Sequence, residues 1–154
     1  MKKRFFTLIL LMCALTASAQ DFNERRGFKG MLNNEIPVEV VWRTALNDGE
    51  WVNTGYIYYP KSKNSAPVLI IGERSKVDAI QKSSDNLEAL KFTEYQPDGS
   101  ISGHFTFTYC DVEGDCQFYH GSWTDVATGD SLPLTQMEAL YDTPLWAKEI
   151  AAGE

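Results

Sequence analysis

The chain predicts an all-β fold: an antiparallel up-and-down barrel of about eight strands with a short C-terminal helix, a β-sandwich being the alternative. Three observations carry this expectation. Apolar and polar residues alternate with period two from Ile36 to Thr44, so that Ile36, Val38, Val40 and Trp42 share one face. Turn signals recur between such runs, at Asn47-Asp48-Gly49, Pro97-Asp98-Gly99 and Ala127-Thr128-Gly129-Asp130. The stretch from Gly99 to Thr124 reads as two alternating runs around a tight acidic turn, with a cysteine on each side.

The first nineteen residues lie outside this fold. Lys2, Lys3 and Arg4 form a basic start, Phe5 to Leu15 an apolar run, and Ala17-Ser18-Ala19 a small-x-small cleavage pattern. Together they predict a signal peptide over 1–19, with the mature chain beginning at Gln20. The run is too short to span a bilayer, and no later run is longer. Cys13 follows bulky Met12, whereas a lipid-modified cysteine follows a small residue; it is expected to leave with the leader. The expected location is the periplasm or the cell exterior.

The leader holds three of the 14 basic residues and none of the 21 acidic ones, so the mature chain has 11 against 21 and a net charge of about −10. Such a surface repels nucleic acid and anionic lipid. It suits solubility or a basic partner. The length fits one domain over 20–137, followed by a tail over 138–154.

Taken in order, Gly27 to Leu32 reads as a first short strand, and Asn33-Asn34-Glu35 as a turn, since Asn tolerates positive φ. Trp51 to Tyr59 is aromatic and β-branched; Trp51, Asn53, Gly55, Ile57 and Tyr59 fall on one face, Val52, Thr54, Tyr56 and Tyr58 on the other. Pro60 to Ala66 is a polar loop, and Pro67 to Gly72 an apolar strand. Glu73 to Asn86 is polar and weakly patterned, a loop or a helical turn. Leu87 to Tyr95 suits a strand entering a hairpin at Pro97-Asp98-Gly99. Ser131 to Met137 is a last strand, which Pro133 confines to an edge or bulge. Thr143-Pro144 followed by Leu145, Trp146 and Ile150 predicts the helix, with Thr143 as N-cap and Pro144 in the first helical position.

A hairpin turn centred on Glu113 would set Cys110 opposite Cys116, Thr108 opposite Phe118 and Thr106 opposite His120. On the other face Phe105 would meet Gly121 and Gly103 would meet Trp123, each ring lying across a residue without Cβ. Ile101, Phe105, Phe107, Tyr119 and Trp123 would be core. Ser102, His104, Thr106, Thr108, Phe118, His120 and Ser122 would line the opposite face. Cys110 and Cys116, the two cysteines left after processing, would form a disulfide.

Several side chains could carry chemistry. In that register His104 and His120 lie diagonally on one face and could hold a transition metal with a carboxylate. Asp111, Glu113 and Asp115 crowd the turn beside Gly114 and could chelate calcium, although their spacing does not complete an EF-hand loop. Both are weak metal candidates beside plainer readings, a polar sheet face and a solvated turn. The chain has no G-x-S-x-G, H-E-x-x-H or glycine-rich phosphate loop. The aromatic set, Trp42, Trp51, Tyr56, Tyr58, Tyr59, Tyr95, Tyr119 and Trp123, either fills the barrel or lines its mouth.

The order of motifs, Gly55-Tyr56-Ile57-Tyr58-Tyr59, then Leu90 to Tyr95, then Asp98-Gly99-Ser100-Ile101-Ser102-Gly103-His104-Phe105, then Gly121-Ser122-Trp123 with Leu132-Pro133-Leu134, resembles small exported, uncharacterised proteins of Bacteroides-type bacteria. The resemblance covers most of the mature chain and implies a calycin-like barrel, similar in architecture to streptavidin and lipocalins. It implies no catalytic residue. The polar segment after Glu73 and the Cys110/Cys116 pair depart from it.

The expectation is an exported, non-enzymatic binding module without a cofactor. Its ligand would be a small molecule, sugar or peptide at the barrel mouth, with Tyr56, Tyr58, His104 and His120 as candidate binding residues. The alternative is an acidic, protein-facing inhibitor, for instance of lysozyme; a hydrolase is the weaker one. An open tyrosine-lined cavity would favour a small ligand, and a filled barrel with a protruding acidic turn a protein partner.

Overall fold

The computed structural model describes residues 25–47, 50–63, 65–73, 75–76, 87–112 and 115–153. The expected leader over 1–19 and most of the polar segment after Glu73 lie outside the described residues, as do the side chains of Cys110, Asp111, Asp115 and Cys116 and the whole of Glu113. The strands are β1 (Arg25–Leu32), β2 (Ile36–Asn47), β3 (Glu50–Tyr58), β4 (Val68–Gly72), β5 (Ser75–Lys76), β6 (Leu87–Tyr95), β7 (Ile101–Val112), β8 (Asp115–Asp125) and β9 (Ser131–Ala139). One helix follows, α1 (Leu145–Gly153).

All described pairings are antiparallel between neighbours, and β9 pairs back onto β1. β2 also pairs with β3, so eight strands close into an up-and-down barrel. The two-residue β5 adds only to the start of β3, through Glu50 and Trp51. Closure removes the sheet edges that would otherwise invite pairing with other chains.

The period-two faces point as alternation requires. Val38, Val40 and Trp42 of β2, Ile57 of β3, Ile70 of β4 and Phe92 of β6 are buried inside. Trp42 sits in the middle of a ring cluster, its centroid 5.2 Å from Phe107, 5.9 Å from Tyr109 and 6.1 Å from Phe92. These rings fill the barrel over this length.

The expected hairpin register is not the one adopted. Phe105 pairs with Trp123, Phe107 with Gly121 and Thr108 with His120; then the register shifts, and Tyr109 pairs with Phe118 and Cys110 with Gln117. Cys116 stands opposite Asp111. The shift leaves Tyr119 as the extra residue of a bulge. Its physical reason is parity. Phe118 and Trp123 are separated by an odd number of positions, so a regular strand could bury only one of them. With the bulge both turn inward: Phe118 packs 4.9 Å from Phe28 and 6.1 Å from Tyr109. Tyr119, expected in the core, is 49% exposed instead.

Two more bulges follow the same logic. Between β6 and β7, Glu94 pairs with Gly103 but Tyr95 with Ile101, which leaves Ser102 over. Ile101, also expected in the core, is therefore turned out and 44% exposed. Between β1 and β9 the register shifts after Lys29, and Gln136 adopts a φ of 52°. Leu134 and Met137, again an odd number apart, both pack on the core. Pro133 pairs with β8 at Ser122, one residue before pairing with β1 begins at Leu134, a local edge that suits it.

The tail crosses the outside of the barrel. The Leu140 N–H donates to the Gly27 carbonyl at 2.9 Å. The Lys148 N–H donates to the Pro144 carbonyl, so Pro144 rather than Thr143 occupies the cap position. In α1, Trp146 stacks on Tyr58 at 5.4 Å and donates from Nε1 to Glu39 Oε2 at 2.6 Å. The helix docks on the outer face of β2 and β3 and does not plug the barrel, and Leu145 in its first turn is exposed.

Candidate functional site

The end of the barrel that carries the turns after β1, β3, β6 and β8 is open. There, a cleft of about 420 Å³ is lined by Leu32, Glu35, Ile36, Pro37, Tyr59, Lys61, Ser62, Trp123 and Leu132. Its size falls within the range of small-molecule sites, roughly 300–1,000 Å³. Inward-facing ends of strands form its floor: Leu32 of β1, Tyr59 just after β3, Trp123 of β8 and Leu132 of β9. The β1–β2 turn and the loop after β3 form its rim. Asn33 and Asn34 take positive φ, 51° and 56°, to make that turn. Ile36 stands 43% exposed beside it, an apolar residue presented at the opening.

Through Tyr59 this floor adjoins a polar cluster. Glu94 is buried, only 3% exposed, because its strand parity sets it on the same inward face as Phe92. Tyr59 donates its hydroxyl to Glu94 Oε2 at 2.6 Å, and Ser102, turned by the bulge, donates to Oε1. Each oxygen of the Glu94 side chain thus has one hydroxyl partner. Burial, and then the Glu94 charge beside it, push the Tyr59 hydroxyl far above its ordinary value. Among the described residues no cation pairs with Glu94. Arg26, the inward-facing base, donates to the Tyr109 hydroxyl at 2.8 Å. Tyr109 lies six residues along β7 from Gly103, the cross-strand partner of Glu94, or roughly 20 Å.

Trp123 completes the floor. Its indole Nε1 rests against Gly103, where a Cβ would collide with it. The expected ring-over-glycine contact is thus present, but diagonal rather than directly opposed. The Trp123 Nε1–H is buried without a hydrogen-bond partner, beside the strand position of Glu94. Trp42 Nε1, deeper in the ring cluster, is in the same condition.

The residues expected to bind lie elsewhere. Tyr56 and Tyr58 are half-buried on the outer face of β3, and Tyr58 is covered by Trp146. His104 is on the outer face of β7, its Nδ1 3.2 Å from Thr93 Oγ1. His120 is exposed and pairs with Thr108, four residues along β7 from His104, roughly 13 Å. The adopted register therefore separates the two histidines that the expected one brought within reach. Among the described residues no three His, Cys, Asp or Glu side chains come together as a metal site, and the carboxylates of Asp111, Glu113 and Asp115 lie outside them. No described helix is long and apolar enough to cross a membrane.

The sequence pattern does not single out Glu94 as a site residue. An acid in a strand ordinarily marks the solvent face, yet Leu90, Phe92 and Glu94 share one parity, and that was the available signal. No family model, no curated protein and no solved structure matches this chain.

Proposed function

We propose that this protein is an exported, non-enzymatic binding module that holds a small, largely apolar molecule in the cleft at the barrel mouth. One observation carries the reading: an open cleft of about 420 Å³, floored by Tyr59, Trp123, Leu32 and Leu132, above a barrel filled by aromatic rings. Aromatic rings fill the described part of the interior next to this cleft, so a ligand would sit on this floor, half-enclosed. The aromatic faces supply contact area at little entropic cost, since the rings are already held by the core.

The neutral fluorophore N-phenyl-1-naphthylamine tests this. Its emission should rise saturably, with one site per chain, on addition of the folded protein. Leu132→Trp, which fills the cleft from its floor, should abolish the signal while far-UV circular dichroism stays that of the parent. Absence of binding, or binding indifferent to Leu132→Trp, would sink the reading.

A second reading draws on the same filled interior and on the net charge of −7 for the whole chain: an acidic, protein-facing inhibitor that docks a basic enzyme. Lysozyme activity measured at micromolar excess of the purified protein decides it, with unchanged lysis as the negative outcome.

A further inference from the structure

We propose that the cleft selects organic cations, binding an ammonium head against the rings of Tyr59 and Trp123 above the buried Glu94 carboxylate, with the apolar body against Leu32, Ile36 and Leu132. The inference rests on the cleft reading and adds the sign of the ligand's charge. A carboxylate taken out of water is costly unless it is paired. Glu94 is 3% exposed and has two hydroxyl donors, but no cation beside it among the described residues. Among the described residues its charge is therefore met by hydroxyls alone, close to the end of the barrel where the cleft opens.

The path from carboxylate to cleft is short. Tyr59 touches both: its hydroxyl is 2.6 Å from Glu94 and its ring lines the cleft. Donation of the Tyr59 proton to a carboxylate also enriches the ring face in electron density, which strengthens its attraction for a cation. The rim does not oppose this sign. It carries one acid, Glu35, and one base, Lys61, both solvent-exposed, and these offset one another. An anionic head at Tyr59 would instead be repelled by Glu94, whose field is poorly screened at a buried position.

Octylammonium, octanol and octanoate share an apolar body and differ in the charge of the head. Each is titrated against the protein loaded with N-phenyl-1-naphthylamine, at neutral pH and about 0.15 M salt. Octylammonium should displace the probe at a concentration roughly tenfold or more below octanoate, with octanol between them. In Glu94→Gln, folded by circular dichroism, the three should converge. In Glu138→Gln, an exposed acid of β9 that lies outside the cleft lining, the order should survive, as it should at raised salt. Equal displacement by all three in the parent protein overturns charge selection and leaves the cleft reading standing. So does loss of the order in Glu138→Gln or at raised salt, or its persistence in Glu94→Gln. Failure of the probe itself to bind overturns both readings. Should Glu94→Gln not fold, the parent order and the Glu138→Gln control still decide the matter.

Discussion

At Gly103 a single hydrogen in place of a methyl group lets the Trp123 indole lie flat across β7. The neighbour that a Cβ would strike is a ring already fixed between strands, so it has little room to yield. Gly103→Ala should lower stability by about 1–3 kcal/mol, the usual range for overpacking. Urea denaturation reads the loss, and the near-ultraviolet dichroism of tryptophan should change with it. Tyr59 offers a different test. It keeps its proton in the folded protein at pH values where an unfolded tyrosine, near pH 10, has lost its own. Above that pH the folded state therefore binds more protons than the unfolded state, and stability must fall as pH rises. Below it, the contribution is fully present. Tyr59→Phe should flatten the alkaline decline in the urea midpoint between about pH 9 and 11. An identical slope in parent and variant would show that the hydroxyl titrates normally.

Among the elements, the bulges decide what faces inward. Alternation within β2 and β3 was legible because no extra residue interrupts it, and Trp42, Val40, Val38 and Ile57 are buried where period two puts them. In β8 the same rule chose Tyr119 over Phe118. A bulge leaves no mark in composition; it arises because the neighbouring strands offer space for Phe118 beside Phe28 and Tyr109 as well as for Trp123 against Gly103. That space belongs to residues distant in sequence. The same limit hid the site, since Ser102 reaches Glu94 only through the β6–β7 bulge. Conversely, aromatic density does not say which face of a strand a ring occupies: Tyr56 and Tyr58 lie on the outer face of β3, and α1 stacks on one of them. The bulge in β8 gives a direct comparison. Phe118→Ala should cost about 2–4 kcal/mol and Tyr119→Ala well under about 1 kcal/mol, measured by chemical denaturation. The reverse order would restore the regular hairpin.

For the molecule as a whole, closure of the barrel separates the part that holds the fold from the part that meets a ligand. The rings around Trp42 are all but inaccessible, so they contribute through burial and edge-to-face contact and cannot touch a molecule at the mouth. The cleft is made of strand ends and turns, where fewer neighbours depend on each side chain. Substitutions in the two regions should therefore dissociate. Phe107→Leu removes a ring that packs 5.1 Å from Phe28 and 5.7 Å from Phe92. It should lower stability by roughly 1–3 kcal/mol and leave the affinity for N-phenyl-1-naphthylamine within about twofold of the parent. Leu132→Trp should do the opposite, since Leu132 packs at the margin of the core and faces the cleft. Paired urea and fluorescence titrations on the two variants measure both quantities. If Phe107→Leu weakened binding as much as it weakened the fold, the mouth would be an extension of the core, and a rigid floor above a filled barrel would no longer describe how this protein holds a ligand.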